Sequence, residues 1–210
     1  MLEIQHFKKS YPTGFQMEID SLQLTKGIHL IKGENGYGKS TLLKAIAGIH
    51  GFEGEIFLDD ISLKKDPIPF RKLVNYSEAE PLFPDFLSLD ELIAFVAKTK
   101  GADKTQITSL KEILAIGDFS KNAIATYSSG MLKKTGLILA FLGKPSMIIL
   151  DEPYTTIDVG TQKRLTELIN RELYKGVSFL LTSHIADFEG FFDYNSVLSI
   201  YNGSLLQNHE

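Results

Sequence analysis

The segment Gly33-Glu34-Asn35-Gly36-Tyr37-Gly38-Lys39-Ser40-Thr41 constrains this chain more than any other. It fits the pattern G-x-x-x-x-G-K-[ST] and lies between an apolar run, residues 28 to 31, and a helix-like stretch, residues 42 to 49. Three glycines let the backbone fold into a nest of inward-pointing N–H groups, and a helix starting near Lys39 adds its positive end to the same spot. Such a concavity takes polyphosphate. Lys39 would reach the outer phosphates as a point charge, Ser40 would offer its hydroxyl to Mg2+, and Thr41 would hydrogen-bond an inner phosphate. A tight strand-to-helix turn with an exposed lysine satisfies the same letters, so residues elsewhere must decide between the two.

The rest of the chain has the make-up of an ordinary globule. Its 210 residues suit one large domain or one with an inserted subdomain, and 43% hydrophobic with 23% charged residues is typical of that class. No stretch approaches the roughly 20 apolar residues of a membrane span, and the N-terminus lacks the basic-then-apolar layout of a secretory signal. A cytoplasmic location is therefore expected. With no cysteine, disulfides, thiolate metal sites and cysteine nucleophiles are excluded. A net charge of -4 gives no general attraction to nucleic acid, although Lys133-Lys134 leaves room for a local basic patch.

Alternation at Leu2, Ile4 and His6, then at Met17 and Ile19, and after a one-residue phase change at Leu22 and Leu24, predicts antiparallel strands with one face buried. Ile56-Phe57-Leu58 reads as a further short strand. From about residue 84 to 143 the spacing turns helical, with Gly101 and Gly117 as helix stops. The second half carries continuous apolar runs, Met147-Ile148-Ile149-Leu150 and Phe179-Leu180-Leu181, separated by a helical pattern between residues 161 and 175. These are the marks of a βαβ unit with parallel strands covered on both faces. Near the end, Asn202-Gly203 predicts a tight hairpin. The expected fold is α/β, with the helical block, about 84 to 143, inserted into a core formed by about 1 to 83 and 144 to 210.

Asp151-Glu152-Pro153 closes the first apolar run, which places two carboxylates at the carboxyl end of a parallel strand, where open α/β sheets bind ligands. Asp151 would serve Mg2+, and Glu152 would polarise the water that attacks the outermost phosphate. His184, just past the next strand, would help fix that water. Tyr127-Ser128-Ser129-Gly130-Met131 opens another helical run. By itself it is a good N-cap, and a small-residue helix start is also an anion site.

With these motifs in order, the sequence resembles the ATP-binding-cassette (ABC) ATPases over essentially its whole length. Residues 33 to 41 resemble the family's Walker A, 147 to 152 its Walker B and 127 to 131 its signature motif. Asp158 matches the D-loop aspartate, His184 the switch histidine, and Tyr11 the aromatic residue that stacks on adenine. The resemblance implies an antiparallel β subdomain, a P-loop NTPase core and a helical subdomain carrying the signature. It also implies ATP and Mg2+ as ligands, with two cassettes paired head to tail. Ser128 and Gly130 of one would then close over ATP held by Lys39 of the other.

This sequence departs from the family at Ala79, where glutamine is usual, and in the signature at Ser129 and Met131. Alanine can neither ligate metal nor bond water, so slow or partner-dependent turnover is expected, with Glu78 or Glu80 as substitutes after a small backbone shift. Serine at 129 is expected to tolerate positive φ poorly and so to weaken close approach to phosphate. The function implied is the ATP-hydrolysing subunit of an ABC transporter, peripheral on the cytoplasmic face and acting through separate transmembrane subunits. The segment from 83 to 89 would help form a groove for one of their helices. A soluble ABC-type regulator, switching by ATP-dependent dimerisation, is the alternative, and a small-molecule kinase leaves the later motifs unused.

Overall fold

A computed structural model describes residues 1–12, 14–183 and 191–207. Its strands are β1 (Leu2–Ser10), β2 (Gln16–Leu24), β3 (Ile28–Lys32), β4 (Glu53–Leu58), β5 (Ile61–Ser62), β6 (Val74–Ser77), β7 (Met147–Leu150), β8 (Ser178–Ser183), β9 (Ser196–Tyr201) and β10 (Ser204–Gln207). Together they form a single sheet in the order β5-β4-β1-β2-β10-β9-β3-β8-β7-β6. At one end β1 runs antiparallel to both β2 and β4. From β9 through β6 the neighbours are parallel. Among the described residues the halves meet where β10 lies beside β2, paired in register at Ser204 and Glu18.

The phase change expected in β2 is present: Met17 and Ile19 are buried, Asp20 and Ser21 are both exposed, and burial resumes at Leu22 and Leu24. Asn202 and Gly203 have φ of 46° and 76°, the left-handed pair that a two-residue hairpin between β9 and β10 requires.

The helices are α1 (Lys39–Ile46), α2 (Pro67–Leu73), α3 (Leu89–Lys100), α4 (Lys104–Ile113), α5 (Ser129–Ala140) and α6 (Val159–Tyr174). Gly101, with φ of 72°, ends α3 as expected. Gly117 does not end α4. That helix stops at Ile113, and Ala115 takes the left-handed position (φ 51°) while the Ile116 N–H reaches back to the Lys111 carbonyl at 2.8 Å. The paired closing bonds of the helix terminus, with Ala115 N–H on Glu112 O at 3.1 Å, hold an alanine where glycine is the usual choice.

Neighbouring residues of the central strands point to opposite faces and so enter different cores. Ile31, Ile149, Leu180 and Leu198 join α1 and the antiparallel strands on one side. Leu30, Ile148, Leu150, Phe179 and Leu181 meet the helices on the other. Burial on both faces explains why these strands read as unbroken apolar runs. It also leaves their carboxyl ends, after Lys32, Ser77, Leu150 and Ser183, as the edge where polar groups collect.

Candidate active site

α1 starts differently from most of its fellow helices. α3, α4, α5 and α6 are each capped by a side chain, Ser88, Asp103, Ser128 and Asp158 respectively, that accepts an amide of the first turn. α1 has Gly38 at its N-cap, φ 106°, and no side-chain cap. Its first amides are left for an outside acceptor, together with the positive end of the helix. Gly33 and Gly36 are also left-handed, with φ of 157° and 87°. A Cβ at Gly38 would lie 2.5 Å from Met17 Cε and 2.6 Å from Phe15 Cζ, and one at Gly33 would lie 2.7 Å from the Ile200 carbonyl oxygen. Glycine is thus required twice by close packing as well as by φ. Glu34, Asn35 and Gly36 are exposed at the tip. Tyr37 turns away to pack edge-on against Tyr201, ring centroids 5.3 Å apart, and its bond to Glu34 raises its hydroxyl pKa. A cavity of about 630 Å³ lies against the loop, lined by Gly33, Glu34, Asn35, Tyr37 and Ser183 among others.

Lys39 is 5% exposed. Its ammonium donates to the carbonyls of Gly33 at 2.6 Å and Glu34 at 3.2 Å, and lies 3.7 Å from Glu152 Oε1. The two motifs read separately in the sequence therefore meet. Ser40, exposed, and Thr41, half-buried, follow on the first turn of α1.

The end of β7 is locked by a residue the sequence reading missed. Thr182 Oγ1 donates to Asp151 Oδ1 at 2.6 Å and accepts the Glu152 N–H at 2.9 Å. One hydroxyl thereby fixes both the carboxylate and the next peptide. Asp151 is almost fully buried, and Tyr76 donates to its other oxygen at 3.4 Å. Burial, then the neighbouring Asp151 and Glu78 charges, push the Tyr76 pKa far up. Glu152 has φ of 46°, a conformation that costs a side-chain-bearing residue about 1 to 3 kcal/mol and persists only where its surroundings enforce it. Lys133, also missed, donates to the carbonyls of Glu78, Ala79 and Asp151 at 3.0, 3.0 and 2.8 Å. Burial pushes its pKa down to about 8. Each left a partial trace in the sequence, a threonine directly after the apolar run 179 to 181 and a lysine four residues before the core residue Leu137 on α5, but neither trace names the distant partner.

Among the described residues no cluster of three or more His, Cys, Asp or Glu forms a metal cage. The donors at hand are the Ser40 hydroxyl and the Asp151 carboxylate, hard oxygens of the kind that suit Mg2+, which keeps waters and phosphate oxygens as its remaining ligands.

The other expected residues fall around this centre. Tyr11 hydrogen-bonds His50 Nδ1 through its hydroxyl at 3.1 Å and packs on Phe15, which itself abuts Gly38. Ser128 Oγ accepts the Met131 N–H at 3.3 Å. Gly130 packs so closely on the chain after Glu152 that a Cβ would lie 2.9 Å from the Thr156 carbonyl oxygen. Asp158 caps α6, and its carboxyl is held well below the usual carboxylate range by the hydroxyl and amide of Thr161, with Lys134 adding to the effect. His184 lies outside the described residues.

Three expectations change. Ser129 is in the first turn of α5 with no positive φ, so serine carries no backbone penalty there. Lys133 is buried and Lys134 sits 3.5 Å from Asp158, so the pair forms no basic patch. The Glu78 carboxylate is paired with Lys44 at 3.1 Å and is already engaged with α1.

The family model described as ABC transporter matches residues 18–155. Along its whole length the chain is 28% identical to the lantibiotic transport ATP-binding protein SrtF of Streptococcus pyogenes, covering 91% of that protein. It is 33% identical, over 87% of its length and 73% of the relative's, to the aliphatic sulfonates import ATP-binding protein SsuB of Bacillus cereus (strain ATCC 10987 / NRS 248). A solved structure of an ATP-binding subunit of an ABC transporter superimposes with a TM-score of 0.87 at 26% identity, covering 99% of this chain and 90% of that one. The open glycine loop, the buried Asp151 and the agreement in sequence and fold lead to one conclusion: the chain belongs to the ABC transporter family of ATP-binding cassettes.

Proposed function

We propose that the chain hydrolyses ATP and powers transport through separate membrane subunits, by pairing with a second cassette when ATP is bound. The observation that carries this reading is the meeting of Lys39 and Glu152, 3.7 Å apart at the carboxyl edge of the sheet, beside an uncapped helix start. Lys39 exchanges its two loop carbonyls for phosphate oxygens, a trade of charge-assisted bonds that keeps its ammonium satisfied. Ser40 and Asp151 would hold Mg2+, which would neutralise charge on the phosphates. Glu152, released from Lys39 by the same exchange, accepts a proton from the attacking water. Tyr11 supplies an aromatic platform for the base. His184 is assigned the water as a second contact. Ser128 and Gly130, at the outer start of α5, serve the nucleotide held by a partner cassette, with Asp158 nearby.

Docking to a membrane subunit is supported by the surface beside β6. Leu82 and Phe86 are 90% and 81% exposed, and a groove of about 220 Å³ is lined by Ile49, Glu78, Pro81 and Phe83 among others. The described residues contain no helix long and apolar enough to cross a membrane. The two relatives carry different cargoes in their names, so cargo is assigned to the membrane partner.

In Glu152→Gln, ATP should still bind while hydrolysis falls at least about a hundredfold, the size of a general-base contribution; unchanged turnover removes Glu152 from that role. The same variant should form dimers on adding ATP, seen by light scattering, and a monomer at saturating ATP overturns the pairing.

A further inference from the structure

Lys133 has no assigned part in nucleotide binding, yet it is 1% exposed. A lysine so deeply buried is uncommon unless its charge is fully satisfied. Here the three N–H bonds of the ammonium have three partners, all of them backbone carbonyls. Two belong to Glu78 and Ala79, just after β6, and the third to Asp151, just after β7. A side chain of the signature helix thus ties together the ends of two parallel strands.

The bond to Asp151 has a geometric consequence. A peptide unit is planar, with its C=O and N–H pointing in opposite directions. The peptide joining Asp151 to Glu152 is held by its oxygen from Lys133 at 2.8 Å and by its N–H from Thr182 at 2.9 Å. Clamped on both sides, the plane cannot rotate without breaking a buried bond. It is this plane that feeds Glu152 into its left-handed conformation and aims its carboxylate toward Lys39. The two remaining bonds connect the clamp to Glu78, which lines the groove beside β6, and to Ala79, the residue that follows it. At position 79 itself the side chain is a methyl group, which makes no polar link to the site.

We infer that Lys133 is a positioning residue for Glu152, linking the 78–79 segment to the peptide that aims the catalytic carboxylate, in place of a side chain at Ala79. This rests on the ATPase reading above. Displacing the segment moves the ammonium, the ammonium releases or tightens the peptide, and Glu152 swings relative to bound nucleotide. Misplacement of a reacting group by about 1 Å lowers a rate by about a hundredfold, whereas nucleotide affinity depends on the glycine loop and is left largely intact.

The chain contains no cysteine, so Lys133→Cys introduces a unique thiol. Alkylating that thiol with 2-bromoethylamine in denaturant, followed by refolding, rebuilds a lysine-length side chain with sulfur in place of one methylene. Rates are expressed per nucleotide-binding site, so that misfolded chains drop out. Lys133→Cys should lower kcat at least about tenfold with KM for ATP within about threefold, and aminoethylation should restore most of kcat. An unchanged kcat per binding site overturns the proposal. So does a parallel rise in KM, a loss of kcat that aminoethylation does not repair, or a variant that yields no nucleotide-binding chains, which would make Lys133 a folding residue only. Absence of ATP hydrolysis in the wild type is a separate failure, that of the ATPase reading, and is measured first.

Discussion

Two helix starts in this molecule are built from nearly the same small residues and behave oppositely. α1 begins after Gly38 with no side-chain cap and a lysine turned back into the loop. α5 begins with Ser128 bonded to its own Met131 amide. The first presents its donors to an outside anion as it stands. The second has one first-turn amide, that of Met131, already accepted by Ser128, and the Ser128 hydroxyl must give up that bond to turn fully to a ligand. On the proposed function, the α1 start would take phosphate within the single chain, whereas the α5 start would give up its serine cap only when a ligand, such as nucleotide on a partner, replaces that bond.

The sharpest way to break this contrast is to close α1. In Gly38→Ala, a methyl group must fit against Met17 and Phe15 at a φ of 106°. The left-handed conformation alone costs about 1 to 2 kcal/mol, so affinity for ATP should fall at least about tenfold, measured by titration of a fluorescent nucleotide; an unchanged Kd would mean the loop tolerates a different geometry. A smaller effect is expected at α5. Ser128→Ala should lower stability by about 1 kcal/mol in a denaturant melt, Ser128→Gly by only a few tenths, with ATP affinity of the lone chain unchanged in both. A fall in affinity would place the signature in the chain's own nucleotide site.

The smallest effect lies at a helix end. Lys100, in the last turn of α3, donates to the carbonyls of Arg71 and Val74, and burial lowers its pKa from 10.5 to about 8. Between those values the unfolded chain binds more protons at this group than the folded one, so its contribution raises stability as pH climbs from about 8 to 10.5. Lys100→Met should remove that rise. Because this side chain is only part-buried, solvent screening reduces what the shift contributes, and comparing thermal midpoints of wild type and variant at both ends of the window should show a difference of about 1 to 2 °C; identical slopes would exclude the shift.

What the sequence revealed follows from how local each feature is. The glycine loop, the strand ending at Asp151 and the Asn202-Gly203 turn are each complete within a few residues, so composition and order sufficed. Thr182 and Lys133 act on partners distant in sequence, Thr182 on Asp151 and Lys133 on Glu78, and no spacing rule links them. The expectation for Ser129 failed because it assumed a left-handed backbone, whereas the residue lies inside a helix turn. Gly117 misled because the bonds that close α4 let Ala115 take the left-handed position.

Among the described residues β10 pairs with β2 at Ser204 and Glu18, so at this joint the backbone ladder is thin and the shared core carries the connection. A ladder of many rungs resists shear; a single rung leaves that task to the side chains packed across the joint, among them Met17, Ile31 and Ile200. Tyr11 stands on the antiparallel side of this joint and Lys39 on the parallel side, so a nucleotide that engages both would span it like a brace. The base end of such a ligand would then add to the stiffness of the joint, and trimming it away, as in inorganic triphosphate, would leave the phosphates gripped and the joint held by its core.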